Sequence, residues 1–437
     1  MKTRKLICAA ACVLAINAAA GCRGAEEKEI TLIIKAPSLT FRASAIDDNV
    51  VSSYDLMREA GAAFAEQYTD ARVTISVIQY ECSKEIENID ECYGTDNAAD
   101  VLMNDYFTME SHIHSGNVVP LDDIISEELR SDIADVFWEH SMIGGKTYMM
   151  PYLYRQNVLA YNNDLFRAAG LEEYVSDGSV IQTWSLDQWE SILAALRSSM
   201  PDTAYPLMMY SLDSHGDTHV MCFIRSRGSS FFDDNMRLAL DTPEGIAGLQ
   251  WIKDCVDKGY MPDNAAEIDL LSNYDMFVNG QLAIFVANAS SEDSLGLDYG
   301  LVNFPSPDGG CSTNFMTGFE VFDNGDKDRL QAAKAFVKFV YESEYLDYST
   351  AGIPCSRKVC ERYPEHVASM RKYIDNAATA VNFTGGNPNW LGVRNVFYLH
   401  IQDLLSGRKS ASEVARELDA DANNAIEAGF MQSVLHE

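Results

Sequence analysis

Short apolar runs alternate with longer amphipathic stretches along almost the whole chain, and this alternation narrows the available folds more than any single motif does. Residues 29–36 (EITLIIKA) are rich in Ile and Leu, short enough for a buried strand, and stop at Pro37-Ser38. Within 54–68, Leu56, Met57, Ala60, Ala63 and Phe64 recur at helical spacing, and 73–78 then alternates as a strand does, which predicts a βαβ opening. Residues 99–103 (ADVLM) predict another short strand that runs into Asn104-Asp105-Tyr106. In open α/β sheets ligands gather at such strand ends, so 104–108 is a candidate site. Strands are predicted again at 159–161 and 283–286, and helices at 186–198, 243–258, 327–341 and 412–428. Two of these helices carry their own start signals, Ser185 with Gln188 three residues on, and Thr242-Pro243-Glu244, while Gly259 marks a stop. The reading is α/β throughout, with no low-complexity linker and no fixed-period repeat.

The 437 residues suffice for about two large domains or three small ones, and 47% apolar with 22% charged residues is a globular balance. Asp+Glu number 65 against 33 Lys+Arg, a net charge of −32, which repels phosphate backbones and makes nucleic acid a poor partner. The first five residues are basic, and 6–20 are apolar apart from Asn17, a pattern that predicts a secretory signal peptide at 1–21. Ala19-Ala20-Gly21-Cys22 resembles a bacterial lipoprotein box. That resemblance implies acylation of Cys22, a tether at 22–28, and a protein held at the extracytoplasmic face of the cell membrane. Further along, no run of about 18 apolar residues appears. Outside the cytoplasm disulfides persist, and Cys82 with Cys92, or Cys355 with Cys360, lie close enough to close small loops. Unpaired buried thiols are an equal alternative for these and for Cys222, Cys255 and Cys311.

Several blocks then stand in a telling order: 145–152 (GKTYMMPY), 159–171 (LAYNNDLFRAAGL), 183–189 (TWSLDQW), 242–245 (TPEG) and 249–262 (LQWIKDCVDKGYMP). They continue with 276–284 (MFVNGQLAI), 304–307 (FPSP), 332–340 (AAKAFVKFV) and 352–354 (GIP). The ordered set resembles family 1 extracellular solute-binding proteins, the receptors of ABC importers, over nearly the whole mature chain. The resemblance implies a two-lobe, type II periplasmic-binding-protein-like fold of mixed sheets flanked by helices. It assigns 29–150 and 304–348 to lobe 1, 151–303 and 349–437 to lobe 2, and a hinge of three segments near 149–154, 301–304 and 345–350. It also implies a monomer that uses no cofactor, binds a small solute and has permease subunits as partners.

Sugar receptors need ring faces for the apolar side of a pyranose and planar polar groups for its hydroxyls. Trp390, within 387–394 (NPNWLGVR), matches the position where the oligosaccharide-binding branch stacks a sugar, so ligand contact is expected, with packing of the C-terminal helices as the alternative. Tyr106 with Asn104 and Asp105 at a strand end, Tyr152 and Arg155 at the first crossing, and Thr317 within 315–320 (FMTGFE) complete the candidate set with Asn288 and Arg394. Residues 287–290 (ANAS) lack the aromatic side chain that sugar binders often have there. This leaves room for a smaller, more polar or acidic solute paired with Arg155 or Arg394. A mono- or oligosaccharide is the first expectation. The alternatives are a polar or acidic non-sugar solute, and a surface sensor or adhesion module. Neither Gly-x-Ser-x-Gly, His-Glu-x-x-His, a P-loop nor Gly-x-Gly-x-x-Gly occurs, so no enzymatic reading is made. His112 and His114 read as surface residues rather than metal ligands.

Overall fold

A computed structural model describes residues 28–40, 43–50, 52–81, 89, 92–114, 116–212, 216–292, 294–384 and 386–434. The signal segment, Cys22 and Cys82 lie outside the described residues. The first strands are β1 (Glu29–Pro37), β2 (Arg72–Tyr80), β3 (Val101–Asp105), β4 (Met142–Ile143), β5 (Lys146–Thr147) and β6 (Met150–Asn162). They are followed by β7 (Ile181–Gln182), β8 (Ile284–Ala287), β9 (Tyr299–Val302), β10 (Ser312–Val321), β11 (Ile353–Pro354) and β12 (Ala380–Val381). Apart from the β4–β5 hairpin, all join one mixed sheet whose main path runs β2-β1-β3-β10-β6-β9-β7.

The opening is the expected βαβ unit. β1 and β2 pair in parallel through the Ser53–Gln67 helix, which Ser52 caps by accepting the Asp55 amide at 3.1 Å. Its buried stripe of Leu56, Met57, Ala60 and Phe64 faces the sheet, and Phe64 meets Phe336 of the Lys327–Glu342 helix edge-on at 5.5 Å. At the other end of the sheet an aromatic chain holds the helices together: Trp184 and Trp189 at 5.0 Å, Trp189 and Phe223 at 6.3 Å, Phe223 and Trp251 at 5.5 Å. The Ser185 and Gln188 capping box and the left-handed Gly259 (φ 69°) form as their sequence signals predict.

One difference reorganises the picture. The strand expected at 159–161 is only the last part of β6, a strand of 13 residues. Arg155, Gln156 and Asn157 interrupt its apolar run, so periodicity alone shortens it. Gln156 is nevertheless fully buried, donating to Ser312 Oγ at 2.7 Å and to the Asn376 carbonyl at 3.1 Å. β6 pairs antiparallel with β10 along its first half and with β8 and β9 along its second, so it belongs to both ends of the sheet. Helices Asp217–Arg225 and Leu270–Val278 are further elements beyond the expected ones; the apolar residues of the first fall in one short run, 220–224, which periodicity does not tell from a buried strand. Cys355 and Cys360 are free thiols rather than a bridge, and Cys222, Cys255 and Cys311 are free as well.

A register shift between Thr317 and Gly318 of β10 leaves Tyr152 as the extra residue of β6, since Thr317 faces Leu153 and Gly318 faces Pro151. A Cβ on Gly318 would lie 2.4 Å from the Met150 carbonyl oxygen, which is backbone and has nowhere to go. Gly318→Ala should therefore lower unfolding free energy by about 1–3 kcal/mol, read from the urea midpoint at unchanged slope.

Candidate functional site

Two cavities adjoin on the open face of the sheet, and Arg155 and Asn288 line both. The smaller, about 90 Å³, lies between Leu39-Thr40 after β1, the Ala351–Ile353 turn, Ser290 and Thr317. The larger, about 410 Å³, is bounded by Asn157, Tyr210, His219, Tyr274, Phe315 and Arg394, with Leu270 and Leu271 at its rim. That volume falls within the range of about 300–1,000 Å³ usual for small-molecule sites.

A row of hydrogen-bonding side chains lines the larger cavity. Asn288 Nδ2 donates to Asn157 Oδ1 at 2.9 Å, and Asn157 Nδ2 donates to His219 Nε2 at 3.2 Å. With Nε2 accepting, a neutral His219 carries its proton on Nδ1, which lies 2.8 Å from the Tyr210 hydroxyl. Phe304 stacks on the imidazole at 5.9 Å and 5°, fixing its plane. Asn288 is held in turn by its own backbone role: its Oδ1 accepts the amides of Ser290 and Ser291 at 2.9 and 3.2 Å and so caps the Ala289–Glu292 helix. Glu292, at the end of that helix, is buried and accepts from Tyr299 at 2.6 Å and also from Lys372 and Tyr373.

The two arginines of the lining differ in kind. Arg394 donates through Nε to Asp217 at 2.5 Å, and the Asp217 side chain is wholly buried, so each charge answers the other. Arg155 is exposed and has no ion pair or hydrogen bond among the described residues. No aspartate or glutamate stands among the described walls of either cavity, although the chain carries 65 of them.

The sequence-derived candidates separate by where their side chains go. Arg155, Asn288, Thr317 and Arg394 are brought together at the cavities, Thr317 with its hydroxyl already donating to Asp105 at 2.7 Å. Tyr152 is not with them: strand alternation turns it to the face opposite Arg155, where it is 0% exposed and donates to the Tyr345 carbonyl at 2.5 Å. Tyr106 is 1% exposed between Phe107 and His140, and burial holds its hydroxyl pKa well above the usual range. Asn104 accepts from Tyr80 at 2.9 Å and donates to Thr108 at 2.7 Å, inside the core. Trp390 is 1% exposed, lies nearly parallel to Phe107 at 6.3 Å, and reaches neither cavity described above. Glu320 and His112, instead of facing the cleft or solvent, form a buried pair at 2.8 Å. Asn157, Tyr210, His219 and the ring of Phe315 were not singled out in the sequence; Asn157 and Arg155 are two apart on one strand and share its face, a signal hidden while β6 was read as three residues.

With this geometry in hand, comparison with known proteins is informative. The pattern of the bacterial extracellular solute-binding protein family matches residues 48–346, and the chain belongs to that family. A curated binding protein of Brucella abortus (strain 2308) is 20% identical over 330 residues, 71% of this chain and 75% of its own length. The sugar-binding protein MalE from Xanthomonas citri superposes with a TM-score of 0.72 at 16% identity, over 91% of this chain and 98% of its own. The cyclic alpha-maltosyl-1,6-maltose binding protein from Arthrobacter globiformis gives 0.70 at 17%, over 92% and 100%. The GacH receptor of Streptomyces glaucescens, solved unliganded and with acarbose, gives 0.66 at 18%, over 91% and 99%. The fold is thus the two-lobe, type II periplasmic-binding-protein arrangement.

Two outcomes follow from these placements. Trp390→Ala should lower stability by about 3–5 kcal/mol in denaturant titration, as deletion of a buried ring does, whereas Phe315→Ala at the half-open cavity wall should cost clearly less. Glu110, buried beside Gly386 four residues before the Trp390 helix, has its carboxyl pushed up to about 7 by desolvation. The folded state then holds this proton more tightly than the unfolded chain, so Glu110 erodes stability as pH rises from the ordinary carboxylate range through about 7. Glu110→Gln should flatten that fall in thermal midpoints measured between pH 4.5 and 8.

Proposed function

We propose that this chain is a cell-surface receptor for a carbohydrate, which it delivers to an ABC permease. The observation that carries the reading is the wall of the larger cavity, which the amides of Asn157 and Asn288, the Tyr210 hydroxyl and the ring of Phe315 line together. A saccharide has hydroxyls that must find partners when dehydrated and a C–H face that packs on an aromatic ring, and this wall offers both. The family, and structural neighbours whose ligands include acarbose and maltotriose, support the same assignment.

In this reading 29–150 with 304–348 and 151–303 with 349–437 move as the two lobes, and Cys22 carries the lipid that keeps the receptor near its permease. A sugar touching both lobes favours the closed form by its differential affinity for it, and closure is what the permease reads. The family and its structural neighbours are binding proteins, and the cavity is assigned binding without chemistry.

A thermal-shift panel of neutral and acidic mono- and oligosaccharides, followed by small-angle scattering with any hit, tests the receptor. A true ligand at 100-fold excess over Kd should add about 2.7 kcal/mol of stability and reduce the radius of gyration. Failure of every saccharide in the panel, with amino acids or peptides shifting the midpoint instead, overturns the carbohydrate assignment.

A further inference from the structure

β6 runs through the centre of the sheet, and twelve of its thirteen residues are buried; the exception is Arg155. β10 beside it is also buried at every position but one, and that one is Phe315. The two exceptions are direct partners in the antiparallel register. One cation and one ring are therefore displayed side by side on the two central strands, at the point where both cavities meet.

Charge sharpens the meaning of this pair. The chain has nearly two acidic residues for every basic one, and yet no carboxylate appears among the described walls of either cavity. Arg394, the other arginine there, is neutralised by Asp217, whereas Arg155 has no such counter-charge among the described residues. Closing the cleft over a neutral solute would strip water from an uncompensated guanidinium, which costs several kcal/mol even after relaxation. An anionic solute removes that penalty, because the planar fork of arginine accepts a carboxylate or sulfate through paired N–H donors.

We infer that the solute is an anionic saccharide, one that bears a carboxylate or a sulfate, with its charged group on Arg155 and its ring face on Phe315. The inference rests on the carbohydrate reading above and narrows it. Hydroxyls of the same ring meet Asn157 and Asn288, and the central strands hold the cation at a fixed place relative to both.

The test is calorimetric titration of the full mature chain with three matched sets: uronic-acid oligosaccharides, sulfated disaccharides, and neutral gluco- and galacto-oligosaccharides. One acidic set should bind, with affinity falling as salt rises, and Arg155→Gln should weaken it about 10- to 100-fold, as loss of a charge-assisted hydrogen bond does. Arg155→Lys should restore part of the loss, and neither variant should move the ligand-free unfolding midpoint, since the side chain is exposed and unpaired among the described residues. Which acidic set binds separates carboxylate from sulfate. Binding of a neutral set equal to or tighter than both acidic sets, or acidic binding unaffected by Arg155→Gln, overturns the inference while the carbohydrate receptor stands. Absence of binding by all three sets overturns both.

Discussion

Everything at the candidate site depends on one strand being shared. β6 donates and accepts backbone hydrogen bonds with β10 along its first half and with β8 and β9 along its second, and every residue of it except Arg155 is buried. A strand so enclosed cannot shift register by one residue without exchanging its buried and open faces, so the position of Arg155 is fixed as strictly as that of any core residue. The bulge at Tyr152 lies where the pairing with β10 changes register, three residues before Arg155. Rigid placement of the polar residues and a local irregularity in the ladder thus occur on the same few residues.

Burial sorts the aromatic residues. Tyr106, Tyr152 and Trp390 were attractive as ring platforms, and each is used instead to fill core volume, between Phe107 and His140, against Phe319 and Tyr341, and beside Phe107 and Phe232. Phe315 remains partly exposed beside a long cation, its neighbour in register, while Phe107 meets the ring edge-on at 5.1 Å. The polar row through Asn288, Asn157, His219 and Tyr210 has the complementary property, since each member orients the next before any solute arrives.

Much of the architecture was legible in the chain. The βαβ opening, the capping box at Ser185 and the left-handed stop at Gly259 are local signals, and local signals survive folding. The full length of β6 was not legible, because a strand buried on both faces loses alternation and its Arg155-Gln156-Asn157 triplet reads as a loop. The Asp217–Arg225 helix, buried along nearly its whole length, has its apolar residues in the single run 220–224, too short to tell helix from strand. Of the nominated residues, Arg155, Asn288, Thr317 and Arg394 line the two cavities. His219 and Tyr210 were out of reach, since their contribution exists only once a helix at 217–225 is laid beside Asn157.

The cluster around Glu292 ties the pocket to a distant stretch of polypeptide. Lys372 and Tyr373 grip this carboxylate from a segment eighty residues downstream, and the helix they secure is the one whose first turn presents Asn288. Taste in such a receptor is therefore adjustable from behind the wall. A change at 372 or 373 would remove a hold on the helix that Asn288 caps while leaving every lining side chain in place.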